Sequence, residues 1–239
     1  MYGGTCINVG CIPSKRLVTD AALAPDSGFA EKAAYFKKSI EGKRQLTAAL
    51  NQANYNNVVQ AGAEVIDGVA SFVDAKTINV KTANGDLTLT AEQFLINTGS
   101  TPVIPNIEGV RDPQTGELQA GNKLYTSQTL MDLDVLPERL TIVGGGYIGL
   151  EFASMFAEFG SKVTIIQDAP EFLPREDEDI VEAIREVLSA KGVEVITGAA
   201  ITAVKDGVVS YTADSASKEL AGDAVLIATG RRPNTDELQ

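Results

Sequence analysis

The stretch from Leu140 to Ile166 constrains this chain more than any other. Leu140-Thr141-Ile142-Val143 is apolar and β-branched and reads as a buried strand, Gly144-Gly145-Gly146-Tyr147-Ile148-Gly149 follows at once, and Phe152, Met155 and Phe156 open an apolar helix. After Gly160 a second strand begins, Lys162-Val163-Thr164-Ile165-Ile166. Alone, GxGxxG is weak; between a strand and a helix, in a unit of about 30 residues, it has the context that a dinucleotide-binding turn requires. Gly144 makes the turn, Gly146 lets the backbone approach a pyrophosphate, and Gly149 allows the helix to pack closely. The pyrophosphate would rest on the helix N-terminus, which makes Tyr147 and Ile148 binding candidates as well. The alternative is a glycine-rich α/β crossover that binds nothing.

The position closing the second strand normally carries the acid that reads a ribose 2′-hydroxyl. Here it holds Gln167, with Asp168 next, and no arginine cluster adjoins it to hold the extra phosphate of NADP. Gln167 can hydrogen-bond a ribose hydroxyl without repelling a phosphate. Both NAD and NADP therefore stay open as the cofactor.

Both cysteines of the chain lie in Gly3-Gly4-Thr5-Cys6-Ile7-Asn8-Val9-Gly10-Cys11-Ile12-Pro13-Ser14-Lys15. Residues 17–23 read as a short helix, with Pro13 fitting its first turn and Cys11 at its N-terminus, where free N–H groups and the dipole lower a thiol pKa. If the two cysteines pair, one regular helix cannot carry both, because five residues at about 1.5 Å rise exceed the ~7 Å reach of a disulfide. A turn must shorten the distance, and Gly10 is placed to allow it. Inert buried thiols fit a helix start poorly, and a zinc site lacks ligands, since there is no His and no third Cys. No metal site is expected.

With 239 residues the chain can hold one large domain or two smaller ones. A net charge of −12 argues against nucleic-acid or anionic-membrane partners. No apolar run approaches the ~20 residues of a membrane span, and the N-terminus does not read as a signal peptide. A cytoplasmic location is the default, where two cysteines are more plausibly catalytic than structural.

The rest of the chain frames these two motifs. Residues 31–60 read as a long packing helix with a break near Gly42, its Tyr35, Phe36 and Tyr55 serving as core contacts. Short β segments follow at 63–66, 70–73, 77–80 and 87–90, with Asn84-Gly85 as a hairpin turn, then a more buried strand at 93–97 leading into Thr98-Gly99. The Pro-rich exit over 102–109 reads either as a turn and linker or as a domain hand-over near 105–112. Thr126 caps a short helix through Leu133. Acids 176–179 complement the dipole of a helix running to Ala190, and further strands fall at 193–196, 201–204, 208–212 and 224–228, before Thr229-Gly230-Arg231-Arg232-Pro233-Asn234.

The string GGTCINVGCIPSK resembles the redox-active disulfide segment of the flavin-dependent pyridine nucleotide-disulfide oxidoreductases, the family of dihydrolipoamide dehydrogenase, glutathione reductase and mercuric reductase. The resemblance implies an α/β fold of two Rossmann-like three-layer domains, the first incomplete: 1–108 part of an FAD-binding domain, 109–235 an NAD(P)-binding domain, and 236–239 the start of a return to the first. It implies that Cys6 exchanges with substrate, that Cys11 contacts the flavin, and that Lys15, near the flavin, pairs with Glu151. It implies FAD contacts at Gly4, Thr5, Thr98 and Gly99, a domain return at Gly230 that joins the binding site, and Tyr147 as a cover over the nicotinamide pocket. Without the family, Tyr147 is a packing residue and Glu151 an acid favourable to the helix dipole.

The implied activity passes a hydride from NAD(P)H to FAD, two electrons to the Cys6/Cys11 disulfide, and then to a small-molecule disulfide or a metal-ion substrate, in a homodimeric parent. Within the family, residues 1–15, 151–157 and 172–177 look most like a bacterial reactive-chlorine-resistance branch that reduces copper(II). The resemblance covers the middle of the family's chain; its first flavin fingerprint and its dimerisation domain with a His-Glu pair fall outside, so the isolated chain is expected to lack parts needed for full activity, to bind flavin poorly and to turn over little. The competing readings are a non-catalytic NAD(P)-binding module or degenerate fragment, and a thiol redox sensor without hydride chemistry.

Overall fold

The computed structural model describes residues 1–119 and 121–238. Three helices come first: α1 (Gly4–Asn8), α2 (Cys11–Ala22) and α3 (Phe29–Gln60). An antiparallel sheet of β1 (Val69–Asp74), β2 (Thr77–Thr82) and β3 (Gly85–Thr90) follows, in the order β1-β2-β3. The chain then lays down β4 (Ser100–Pro102), β5 (Leu124–Tyr125), α4 (Ser127–Leu130), β6 (Arg139–Val143), α5 (Tyr147–Phe159), β7 (Lys162–Ile166), α6 (Glu178–Ala190) and β8 (Glu194–Ile196). A second meander, β9 (Ala200–Lys205), β10 (Val208–Ala213) and β11 (Ala216–Ala221), leads to β12 (Ala224–Ile227) and β13 (Arg231–Pro233).

The centre is a parallel sheet in the order β5-β12-β6-β7-β8. Its inner strands β12, β6 and β7 are buried on both faces, as the interior strands of a parallel sheet are. Leu140 and Ile142 of β6, Val163 and Ile165 of β7, and Ala224 and Leu226 of β12 face a helical layer. Val143, Ile166, Val225 and Ile227, the alternate positions, face the β9–β11 meander through Val204, Val209 and Tyr211. The architecture is the expected three-layer α/β, with an antiparallel meander as the third layer.

Aromatic packing joins α3 to α5. Phe36 meets Phe159 edge-on at 5.0 Å and Phe156 at 5.7 Å, and all three side chains are fully buried. Residues 29–60 form one uninterrupted helix, so the expected break at Gly42 is absent. Gly42 is a close-packing position instead: a Cβ there would lie 2.8 Å from Nη2 of Arg16 on α2. Lys43, buried in the same stretch, pairs with Asp132, while Arg44 pairs with Asp132 and Asp134, so that one turn of α3 grips the loop after α4.

Three local expectations are corrected. Residues 63–66 and 93–97 are not strands: among the described residues nothing pairs with them, and a strand is stable only in a ladder. Leu95 is 93% exposed rather than buried. The helix capped by Thr126 ends at Leu130, not Leu133; its cap is a reciprocal one between Thr126 and Thr129. After β13 the chain returns to the first sheet, where Leu238 accepts a hydrogen bond from the N–H of Phe72 at 2.9 Å. Gln239, which the resemblance assigns to the start of a return, lies outside the described residues.

Candidate functional site

Each glycine of the 144–149 turn has a distinct physical job. Gly144 has φ +110°, and a Cβ on it would lie 2.5 Å from the carbonyl oxygen of Ala228, so the turn fits only glycine. A Cβ on Gly149 would sit 2.2 Å from the Gly144 oxygen, which fixes how closely α5 approaches β6. Gly146 is different: its backbone is extended, and nothing lies within 4 Å of where its Cβ would be. That open space adjoins the unpaired N–H groups opening α5, whose first turn carries no acid to offset the positive dipole end.

The turn opens into a cleft of about 860 Å³ at the carboxyl ends of β6, β7 and β12, the place where doubly wound sheets bind ligands. Gly144, Gly146, Tyr147, Ile148, Gln167 and Gly230 line it. Gly149 does not; it lies behind the wall as a packing residue. The cleft also takes in Gly145, Asp168, Asn106, Thr229 and Arg231, residues the sequence pattern did not assign to a site. Arg231 was readable only as part of a returning segment, yet its guanidinium donates to the Ser100 hydroxyl and carbonyl, tying β13 to β4, and burial lowers its pKa.

The cleft contents fit a dinucleotide: a volume within the range of small-molecule sites, a helix N-terminus, and a glycine whose missing side chain leaves room for phosphate. Gln167 donates through its side-chain nitrogen to the carbonyls of Ala169 (3.2 Å) and Glu171 (2.8 Å). Its Oε1 is thereby turned toward Gly145, where an added Cβ would meet it at 2.3 Å. Tyr147 is 68% exposed and donates its hydroxyl to Glu176; that hydrogen bond, then the Glu176 charge, raises its pKa. Tyr147 also lines a smaller cavity of about 200 Å³ that reaches Pro174 and Arg175.

The cysteines sit at the N-terminal end of α2, Cys11 as its first residue and Cys6 on the short α1 before it. The helical path breaks at Val9–Gly10, as the spacing argument required, and the chain restarts with Cys11 as the first residue of α2. A Cβ on Gly10 would lie 2.9 Å from the Thr5 carbonyl oxygen and 3.5 Å from the Cys6 Cα, so this glycine lets α1 fold back against α2. Both cysteines are exposed and present as free thiols. Hydrogen bonding to Cys11 is the largest influence on Cys6 and raises its pKa, with burial and the Cys11 charge acting in the same direction. The backbone N–H groups of Ile12 and Cys11 oppose this. These N–H groups belong to the first turn of α2, so the helix N-terminus bears on Cys6.

One helical turn beyond Cys11, Lys15 Nζ lies 2.6 Å from Glu151 Oε1 on α5. Glu151 is in turn one helical turn beyond Tyr147, past the first turn of α5, so the ion pair rather than the dipole is its main partner. Helix α2, which opens with Cys11, and helix α5, whose N-terminus opens onto the cleft, are therefore joined by an ion pair. Gly4, Thr5, Thr98 and Gly99 form a further corner. A Cβ on Gly99 would meet Thr5 Oγ1 at 2.8 Å, and Asn234 holds the lead-in to β4 through the carbonyls of Thr98 and Gly99, both at 3.0 Å. No helix among the described residues is long and apolar enough to cross a membrane.

A fold of this topology, with a glycine turn over a nucleotide-sized cleft and two thiols five residues apart, defines a class, and comparison with known proteins gives the same answer. Residues 1–239 match the model of the pyridine nucleotide-disulphide oxidoreductases, and the chain belongs to that family. It is 41% identical over 239 residues to the probable pyridine nucleotide-disulfide oxidoreductase RclA of Escherichia coli, covering 100% of this chain and 50% of that one. It is 34% identical to a dihydrolipoyl dehydrogenase of Geobacillus stearothermophilus (99% and 51% covered) and 33% identical to a mercuric reductase of Lysinibacillus sphaericus (99% and 43%). The solved Cu(II) complex of the HOCl-induced flavoprotein disulfide reductase RclA superposes with a TM-score of 0.86 at 41% identity, again over all of this chain and 50% of that one. The chain spans about half the length of the relatives it matches.

Proposed function

We propose that this chain carries the electron-relay centre of an NADH-dependent flavoprotein reductase, with residues 1–108 contributing to the flavin unit and 109–235 forming the nicotinamide unit. The observation that supports it most is the Lys15–Glu151 bridge, which ties the helix bearing Cys11 to the helix whose N-terminus opens the dinucleotide cleft. Bound flavin would supply hydride acceptance and two-electron transfer. The protein's own residues position the partners. Gly144, Gly146, Tyr147 and Ile148 hold the nucleotide on the α5 N-terminus, Tyr147 covers the pocket, and Gly4, Thr5, Lys15, Thr98 and Gly99 face the flavin. Gly230 closes the cleft on the β12 side.

The sulfur chemistry balances simply. Two electrons and two protons convert the Cys6–Cys11 disulfide to a dithiol; the dithiol then returns them to a substrate disulfide, or gives one electron to each of two Cu(II) ions and releases two protons. Cys6 is the exchanging thiol, holding its proton more tightly than a free cysteine. For the nicotinamide, Gln167 supports NADH: its donors are taken by two backbone carbonyls, leaving an acceptor oxygen that suits a ribose hydroxyl. Asp168 in the cleft and Glu176 beside it disfavour an added phosphate, although Arg175 is close by. With FAD supplied in excess to offset weak binding, the slow NADH-driven reduction of an aromatic disulfide or of Cu(II) should be lost in both Cys6→Ser and Cys11→Ser and be slower still with NADPH. Unchanged rates in both cysteine variants would rule the reading out.

A further inference from the structure

Cys6 rides on an element that cannot hold itself in place. Helix α1 has five residues, no buried side chain and no side-chain cap at its N-terminus, and helices this short are unstable alone in water. Cys11, by contrast, belongs to a longer helix anchored by Leu17 and Ala21 in the core. The two sulfurs therefore depend on different supports.

What fixes α1 is a side-chain clamp from α3. Asn51 Nδ2 donates to the Asn8 Oδ1 at 2.6 Å and to the Tyr2 carbonyl at 3.0 Å. Asn8 Nδ2 in turn donates to the carbonyls of Tyr2 (2.8 Å) and Gly4 (2.9 Å), the two residues that flank the start of α1. The same face of α3, one turn on, places Tyr55 against the Tyr2 ring at 4.7 Å. Asn51 and Asn8 are partly buried, where lost hydrogen bonds are not simply replaced by water.

We infer that Asn51 is a positioning residue for the redox pair: by fixing both ends of α1 it holds Cys6 beside Cys11 and so favours their disulfide over the open dithiol. The inference rests on the redox role proposed for these cysteines. Closing the bond fixes two sulfurs at a set separation, and a support that already holds them together removes part of the ordering cost. A loosened α1 lowers the effective concentration of one thiol at the other.

The test is the thiol–disulfide equilibrium of the whole chain with glutathione. Cys6 and Cys11 lose two protons and two electrons as one glutathione disulfide becomes two glutathione thiols, and the fraction oxidised is read by alkylation and mass. Asn51→Leu removes the donor while improving helix propensity, so α3 itself is not weakened. Asn51→Asp sets a carboxylate against two oxygens. The oxidised form should become about two- to tenfold less favoured in Asn51→Leu, the span of one net hydrogen bond, and further in Asn51→Asp. Thermal melting of the same variants separates a general loss of stability from this local effect. Equilibria equal to wild type in both variants would overturn the inference, whereas a wild-type chain that forms no Cys6–Cys11 bond at all would instead overturn the redox reading beneath it.

Discussion

At the scale of single residues, the glycine turn makes predictions that separate binding from folding. A Cβ at Gly146 meets no protein atom within 4 Å, so Gly146→Val should melt close to the wild type, short of the modest cost of valine at an N-cap, while losing NADH binding by fluorescence titration. Gly149→Val drives a side chain into the Gly144 carbonyl and should lower the melting temperature markedly. The Lys15–Glu151 pair gives a third test. Lys15 is 67% exposed, so Glu151→Gln should change stability by less than ~1 kcal/mol yet slow NADH-driven thiol formation. These residues were legible in the sequence because their roles are local: a turn needs its glycines at fixed offsets, and a strand-helix junction fixes where they fall. Gln167 was legible only in part. Its position at the end of β7 could be read, but the carbonyls of Ala169 and Glu171 that orient its amide come from the later fold of the loop. Asn51 carried no sequence signal at all, since one asparagine among several on a helix is marked only by what it touches.

At the scale of elements, legibility followed the source of stability. The strands β6, β7 and β12 and helix α5 were found because burial on both sheet faces writes itself as apolar runs. Strand β11 escaped notice because its Ser217, Lys218 and Glu219 are exposed and only pairing with β10 makes it a strand. The opposite error arose at 93–97, where an apolar run lacks a ladder to join. The break expected at Gly42 failed because glycine there admits Arg16 instead of bending the helix. Packing of α3 on α5 through Phe36, Phe156 and Phe159 should dominate the stability of the helical layer. Phe156→Ala is expected to cost about 3–5 kcal/mol in urea unfolding, with the effect on NADH affinity small wherever the protein stays folded.

At the scale of the molecule, the thiol-bearing helices and the nucleotide unit are held in register by the α3–α5 core, the Lys15–Glu151 bridge, and the charged grip of Lys43 and Arg44 on Asp132 and Asp134. Burial raises the Asp132 pKa, but the hydrogen bond and charge of Lys43, then of Arg44, outweigh it and leave the carboxyl below its ordinary value. With the unfolded value about 3.9, its contribution is present above about pH 4 and is lost as the pH falls through the lower folded-state value. The stability difference between wild type and Asp132→Asn should therefore be largest near neutrality, where the variant leaves Lys43 buried without its partner, and should shrink in acid.

The central claim is that the dinucleotide cleft and the cysteine pair are two stations of one path. It is tested most directly by oxidising the chain, adding NADH and FAD without oxygen, and counting thiols against time. The account predicts two new thiols per chain in the wild type and none above the free-flavin background in Gly146→Val. No gain in the wild type, or an equal gain in the variant, would contradict it.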